Sequence, residues 1–339
     1  MKKFIKIISI STLMVTSQLA NATSHWTYNP LWQDSLWLYK YTDNNHNDYL
    51  HAVEVIKTTT DSSGYAYHQV TGLKSFFAEE VTISAYHGTV YQNNYLWLKS
   101  ESEQWHTMLD FSAGSNDSAN YVALNPCLSY QVQAQDIEHN VSTPTGTYHY
   151  VKGFNFNHTP QSAAACDNNY ADIWQKMRFA PYVGLIEFTS NNNHYELVYA
   201  NIYGDNNFTQ SSVSVDNIGA SGITTTMLLS KDSFSAGANK YINTSFVMRN
   251  NTDEIIDLSY NDNTPHHTWL EDEQGYIVAV GIVYPPYPGR PNIALEPGQA
   301  HHLLNVNLAI DNVLPGRYLL KGRADHDNAI TASLWVTIK

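Results

Sequence analysis

Tyr-Ile-Asn-Thr-Ser-Phe-Val-Met-Arg-Asn (241–250) reads as a β-strand. Ile242, Thr244, Phe246 and Met248 fall on one face and Asn243, Ser245 and Arg249 on the other, the period of two expected of a half-buried strand. Past the turn Asn-Asn-Thr-Asp (250–253), Ile256, Leu258 and Tyr260 alternate with Asp257 and Ser259. A Glu-Gln-Gly turn (273–275) leads into the apolar run Tyr276–Val280. Leu-Glu-Pro-Gly-Gln (295–299) precedes alternating His302, Leu304, Val306 and Leu308, and Leu-Pro-Gly-Arg-Tyr (314–318) opens one more strand. Short alternating strands joined by turn residues predict an antiparallel sandwich.

Working outward, residues 23–204 are rich in Tyr, Trp, Thr and Asn and short of helix-forming runs. Leu36–Tyr41, Leu50–Ile56, Tyr65–Val70, Gly88–Tyr91, Tyr95–Ser100, His106–Phe111, Ser129–Ala134, Tyr148–Phe156, Gly184–Thr189 and His194–Ile202 are aromatic or β-branched strand candidates. Ala171–Arg178 alone has a helical look. The fold class is therefore all-β: an antiparallel β-rich domain over 23–204, a polar linker over 205–222, and a sandwich over 223–339.

The first 22 residues predict export. Lys2, Lys3 and Lys6 precede the apolar stretch Ile7–Leu19, and Ala-Asn-Ala (20–22) offers a small-x-small cleavage site, the layout of a signal peptide. No later stretch is apolar for long enough to predict a membrane span. The short basic opening looks bacterial, so the expected location is periplasmic or secreted. The chain has 18 basic and 31 acidic residues; without the three leader lysines the balance is 15 − 31 = −16. Without clustered Lys and Arg, nucleic acid is not an expected partner. Cys127 and Cys166 are the two cysteines, and in an oxidising compartment an even count predicts one disulfide.

Two resemblances follow from ordered motifs. Pro30-Leu31, Trp37–Thr42, Leu109–Ala113, Thr143–Tyr148, Cys166-Asp167, Phe179–Leu185 and Tyr195–Ala200 resemble, in the same order, an uncharacterised group of exported bacterial β-rich proteins. The chain departs from that group at Tyr182, where Gly is usual, and at Thr145, where Ala is usual. In the second domain, Asn250–Thr252, Trp269–Gly275, Leu295–Gly298 and Leu314–Tyr318 resemble the intracellular proteinase inhibitor (BsuPI) family. That resemblance implies an immunoglobulin-like β-sandwich. The family's Gln-x-Tyr-Asp is here Thr264-Pro265-His266-His267, and the export signal stands against a cytoplasmic role.

Catalytic spacings are absent from the sequence: it has no Gly-x-Ser-x-Gly elbow, no His-Glu-x-x-His and no phosphate-binding Gly-x-x-x-x-Gly-Lys. Asp43, Asn45, Asn47, His51 and Glu54 fall at offsets loosely like a calcium loop, but Asp48 stands where that loop needs Gly, so a polar hairpin is expected. His266-His267 and His301-His302 are adjacent pairs whose members point to opposite faces of a strand, which suits a metal poorly. Glu79-Glu80 and Glu271/Asp272/Glu273 supply the carboxylates a glycosidase needs, without fixing their separation. No metal and no cofactor is expected.

The stretch chosen for contact is Val283–Pro291, where Pro285, Pro286, Pro288 and Pro291 pre-set an extended backbone. Tyr284, Tyr287 and Arg290 are residue types that dominate binding interfaces, and Pro291 would protect the bond after Arg290 from cleavage. The alternative for this stretch is a rigid crossover between sheets. The functional expectation is an exported, non-catalytic binding protein, specifically a proteinase inhibitor acting through the sandwich. The alternative is a surface or matrix module binding carbohydrate through N-terminal aromatics.

Overall fold

Aromatic and β-branched runs favour a pleated, half-buried surface, and in the first 200 residues they build one sheet. The computed structural model describes residues 28, 30–31, 33–43, 47–60, 62, 66–72, 81–85, 95–99, 105–125, 128–160, 174–203, 207–210, 214–218, 222–258, 266–281, 293–303, 306–324 and 331–339. The signal segment, Cys127, Cys166, the strand candidate Gly88–Tyr91 and the Pro-rich stretch 283–291 lie outside them.

β1 (Leu36–Thr42), β2 (Asp48–Thr60), β3 (Ala66–Thr71), β4 (Val81–Ala85), β5 (Tyr95–Lys99) and β6 (Trp105–Asp110) pair in succession, each antiparallel to the last. After β7 (Asn120–Asn125) and β8 (Leu128–Ala134), a small separate hairpin forms from β9 (Val141–Thr143) and β10 (Gly146–Tyr148). The main sheet then resumes with β11 (Lys152–Pro160), β12 (Trp174–Ala180), β13 (Gly184–Ser190) and β14 (Asn193–Ile202). β14 returns to lie beside β1, with Leu36 opposite Asn201 and Tyr41 opposite Tyr195.

The sheet curls around its own side chains. Val53, Val55 and Val70 from the first strands share one core with Tyr130, Phe154, Phe179 and Phe188 from the last. Phe111, in the turn after β6, stacks on Tyr28 at 5.3 Å and meets Phe154 and Phe179 edge-on at 5.2 and 5.1 Å, a favoured aromatic geometry. The polar ends of inward aromatics find backbone acceptors: Trp37 Nε1 donates to Val183 O at 2.6 Å, and Tyr39 Oη to Leu185 O at 2.7 Å. β1 and β2 pair as the two arms of the expected hairpin, and at its end Asn47 N donates to Asp43 Oδ1 and Asp43 N to Asn47 O.

Two expectations need correction. Trp174–Arg178 is strand, not helix. A bulge between Trp174 and Lys176 adds a residue, so buried Trp174 and Met177 stand three apart and imitate helical spacing. The segment 205–222, read as a linker, carries β15 (Asn207–Gln210), which pairs with β14, and β16 (Ser214–Ile218), which belongs to the next sheet. Small polar residues can occupy edge strands because the ladder is made by the backbone.

The second module continues with β17 (Ile223–Leu229), β18 (Ser233–Phe234), β19 (Tyr241–Asn250), β20 (Ile256–Leu258), β21 (His266–Glu271), β22 (Ile277–Gly281), β23 (Ile293–Leu295), β24 (Ala300–His302), β25 (Val306–Ala309), β26 (Gly316–Ala324) and β27 (Thr331–Ile338). One sheet runs β16-β17-β19-β24, with β25 also on β19; the other runs β18-β27-β26-β21-β22. β20 and β23 form a separate pair. Met227 and Phe246 from the first sheet meet Leu270, Leu320 and Val336 from the second in one core, so the two sheets form a sandwich. Gly322 makes room for Phe246: a Cβ there would lie 2.1 Å from the ring.

β19 departs from the half-buried expectation. Its Ile242, Phe246 and Met248 enter the sandwich core, while Val247 joins Leu228 and Ala300 against Leu36, Leu38, Leu50, Val198 and Tyr199 of the first module. The face expected to meet solvent is covered by the neighbouring module. No helix among the described residues is long and apolar enough to cross a membrane.

Candidate binding face

The turn between β21 and β22 is set by Asp272, whose Oδ1 accepts from Gln274 N at 2.9 Å and Tyr276 N at 2.8 Å. Gly275 follows at φ +86, a conformation glycine adopts without cost. This hairpin delivers β22 to one end of its sheet, where β21 is its partner.

Pairing then aligns side chains in rows across the outer face. Ile277 stands opposite Glu271, Glu271 opposite Leu319, and Leu319 opposite Trp335. The next row runs Val280, Trp269, Lys321, Ser333. Inward neighbours Leu270 and Leu320 are buried, whereas Tyr276, Ile277, Val280 and Trp335 are 71, 61, 59 and 41 % exposed. Polar groups fix the aromatic members. Trp269 Nε1 donates to Glu271 Oε1 at 2.7 Å, and Lys321 Nζ pairs with Glu271 Oε2 at 2.7 Å, which holds the Glu271 carboxyl below its usual range. The Arg317 guanidinium lies 4.3 Å from the Trp335 ring centroid, within cation–π range.

The opposite face of the sandwich holds the constellation that most resembles catalytic machinery. Ser245 Oγ and His302 Nε2 are 2.8 Å apart, and His302 Nδ1 lies 3.3 Å from Glu54 Oε1. Serine, histidine and acid stand in the order of a nucleophile relay. Ser245 is fully buried, however, and pairs with Leu228 within the ladder beneath the first module. A substrate has no route to its oxygen while the modules are docked. The relay works instead as one clasp among several. Asn243 Oδ1 accepts from Leu50 N at 2.8 Å, Arg249 Nε donates to Asn201 Oδ1 at 3.0 Å, and Lys231 pairs with Asp48.

A cavity of about 120 Å³ opens beside the turn after β6, lined by Met108, Asp110, Asn120, Val132 and Phe154 among others. Behind it Lys152, pushed down in pKa by burial, donates to the carbonyls of Ala113 and Gln135 and ties that turn to the end of β8.

Of the residues chosen from sequence, Tyr284, Pro285, Pro286, Tyr287, Arg290 and Pro291 lie outside the described residues, in the connection that starts where β22 ends at Gly281. His302 belongs to the clasp; burial pushes the pKa of its neighbour His301 down. Glu271 and Asp272 serve the outer face and its turn. In the first module Trp37, Tyr39, Tyr130, Trp174 and Tyr199 are buried, leaving Tyr121, Tyr150 and Tyr182 as the exposed large aromatics among the described residues. No group of three or more His, Cys, Asp or Glu side chains positioned for a metal occurs among the described residues.

Sequence analysis missed Trp335, Leu319 and Arg317. Parity would have found them: in Thr331–Ile338, Ala332, Val336 and Ile338 point inward, so Trp335 must point outward. No protein-family profile matches the chain, and neither does any curated protein sequence.

Proposed function

We propose that this chain is an exported, non-catalytic binding protein that engages another protein, specifically a proteinase, through its sandwich module. The observation that carries this reading is the outer face of the β27-β26-β21-β22 sheet. There Ile277, Val280, Leu319 and Trp335 form adjoining rows beside Arg317 and Lys321. Exposed apolar side chains gathered on one face and rimmed by charge are a feature of interaction surfaces, and Trp and Arg are prominent among the residues that dominate binding energy. The BsuPI-like turn motifs fall in the same module, and Trp269–Gly275 forms part of this face. The leader segment supports export, and the Pro-rich connection after β22 would extend the contact.

A disulfide between Cys127 and Cys166 fits this reading. Leu128, the residue after Cys127, pairs with Pro160, which precedes Cys166 in the chain by six positions. Counting free thiols in the non-reduced protein tests the bond.

The binding reading is tested by assaying a panel of exported proteinases with the purified mature protein. Slowed hydrolysis by at least one proteinase, relieved by Trp335→Ala, is the expected result. No slowing across the panel sinks the inhibitor reading. Affinity capture from exported proteins, compared between wild type and Trp335→Ala, then separates a non-proteinase partner from none.

A further inference from the structure

One row of aromatic side chains crosses the junction between the first and last strands of the first module. Tyr49 on β2 stands opposite Tyr41 on β1, Tyr41 opposite Tyr195 on β14, and Tyr195 opposite Phe188 on β13. Directly opposed residues hold their Cβ atoms about 4.5–5.5 Å apart, so the register itself keeps the rings together. The Tyr41 and Tyr195 ring centroids are 4.6 Å apart with planes tilted by 30°. Those of Tyr41 and Tyr49 are 5.4 Å apart, and Phe188 stacks on Tyr195 at 4.2 Å. Phe188 is buried, whereas the three tyrosines are half-buried, so this end of the row meets solvent. Packing needs only rings, as Phe188 shows; three successive phenols bring a chemistry that packing does not use. A proton acceptor stands beside them. The Asp43 carboxylate hydrogen-bonds the Tyr49 side chain. Burial, then the neighbouring Tyr49 and then Asp43, push the Tyr41 phenol up in pKa, so it carries its proton until it is oxidised.

We propose that Tyr41 and Tyr195 are a site of oxidative coupling, joined ring to ring as a dityrosine that ties β1 to β14. The co-reactant is hydrogen peroxide acting through a haem peroxidase, met after the export that the leader segment predicts. Each phenol gives up one electron and its proton and becomes a phenoxyl radical, whose unpaired electron is shared with the ring carbons beside the oxygen. A carbon–carbon bond forms between one such carbon on each ring. Loss of the two ring protons at the new bond, and return of protons to the two oxygens, restores both phenols. In sum the two tyrosines release two electrons and two protons, and one peroxide takes them up as two waters. Tyr195 is favoured over Tyr49 as the partner because its ring lies nearer to that of Tyr41. The two bonds would also differ in consequence. Tyr49 follows Tyr41 in the same hairpin, so a bond there ties little together. A bond to Tyr195 closes a loop of 195 − 41 = 154 positions, and a covalent tie restrains the unfolded chain more as the loop it closes grows. The site is independent of the sandwich's outer face and of the binding reading.

The experiment treats the purified mature protein, dilute enough that chains rarely meet, with a haem peroxidase and hydrogen peroxide. The expected product is a single chain lighter by two hydrogen atoms, with dityrosine fluorescence. Its proteolytic map joins the peptide bearing Tyr41 to the peptide bearing Tyr195, and it unfolds at a higher urea concentration than untreated protein. Tyr41→Phe and Tyr195→Phe keep the stacked rings, which unchanged circular dichroism verifies, and each loses both the joined peptide and the shift in midpoint. Tyr121→Phe, at an exposed position on β7, keeps both. Joined peptides drawn only from other tyrosine pairs, Tyr41 with Tyr49 included, overturn the proposal. Treated protein without dityrosine overturns it too, as does a Tyr195 peptide still joined at position 41 in Tyr41→Phe.

Discussion

Strands β19 and β22 belong to one sandwich and live in opposite surroundings. β19 lies in the interior of its sheet and is buried on both faces, by the sandwich core and by the first module. β22 lies at the end of the other sheet with most of its side chains in solvent. Their sequences do not announce this contrast: β19 contains Asn, Thr, Ser and Arg, and β22 is wholly apolar apart from its glycine. Burial here follows from what docks on a strand rather than from its hydrophobicity. Polar side chains on β19 serve the docking because each finds a partner, as Asn243 does with Leu50 N and Asn307.

Substitutions sharpen the contrast in order of size. Phe246→Ala empties a ring-sized space under Gly322 and is expected to cost about 3–5 kcal/mol in urea unfolding. Val280→Lys on β22 is expected to change stability by no more than about 0.5 kcal/mol. Similar losses from the two would break the comparison. Asn243→Ala tests the module-facing side of β19. It leaves the buried Leu50 N–H without its acceptor, at an expected cost of about 1–3 kcal/mol. A neutral result would mean that the modules separate and let water in.

Tyr182 gives an intermediate case, exposed yet strained. It sits at φ +61 in the turn between β12 and β13, a left-handed conformation that disfavours a large side chain. Tyr182→Gly is expected to raise stability by about 0.5–1 kcal/mol, the gain being limited by the freer unfolded chain. A loss would show that its ring has packing worth more than the strain.

The smallest effect concerns charge on the outer face that also bears Leu36 and Leu38. Lys40, Glu196, His194, Glu187, Arg178 and Glu138 form a row of alternating ion pairs, the longest of them at 3.9 Å. His194 holds the Glu196 carboxyl down to about 2 from an ordinary 4.5, and Glu196 in turn holds His194 above its ordinary 6.5. The His194 contribution is complete below about pH 6.5 and fades as pH rises through its folded-state value. The Glu196 contribution is complete above about pH 4.5 and fades as pH falls toward 2. His194→Gln is therefore expected to lower the urea midpoint most between those limits and less on either side. The effect is slight because His194 is half exposed. A difference independent of pH would assign the loss to packing.

Much of the fold was legible because the chain alternates where one face meets a core. β1, β14, β19 and β26 follow from period and turn chemistry alone. β12 was misread because its bulge spaces Trp174 and Met177 three apart. β15 and β16 were misread because polar edge strands look like linkers. The candidate face was half legible: the apolar run 276–280 stood out, whereas Trp335 and Leu319 acquire meaning only when pairing sets them in a row with Ile277. The clasp of Ser245, His302 and Glu54 was invisible, since it joins three strands from two modules.

The neighbourhood of β1 and β14 has a consequence for how the molecule comes to exist. Leu36 meets Asn201, 201 − 36 = 165 positions further along the chain, and the surface that receives the sandwich is made from β1, β2 and β14 together. The landing site therefore exists only once β1 and β14, from the two ends of the first module, have paired. Such high contact order makes assembly slow, and it leaves β19 with an uncovered polar face until that closure occurs.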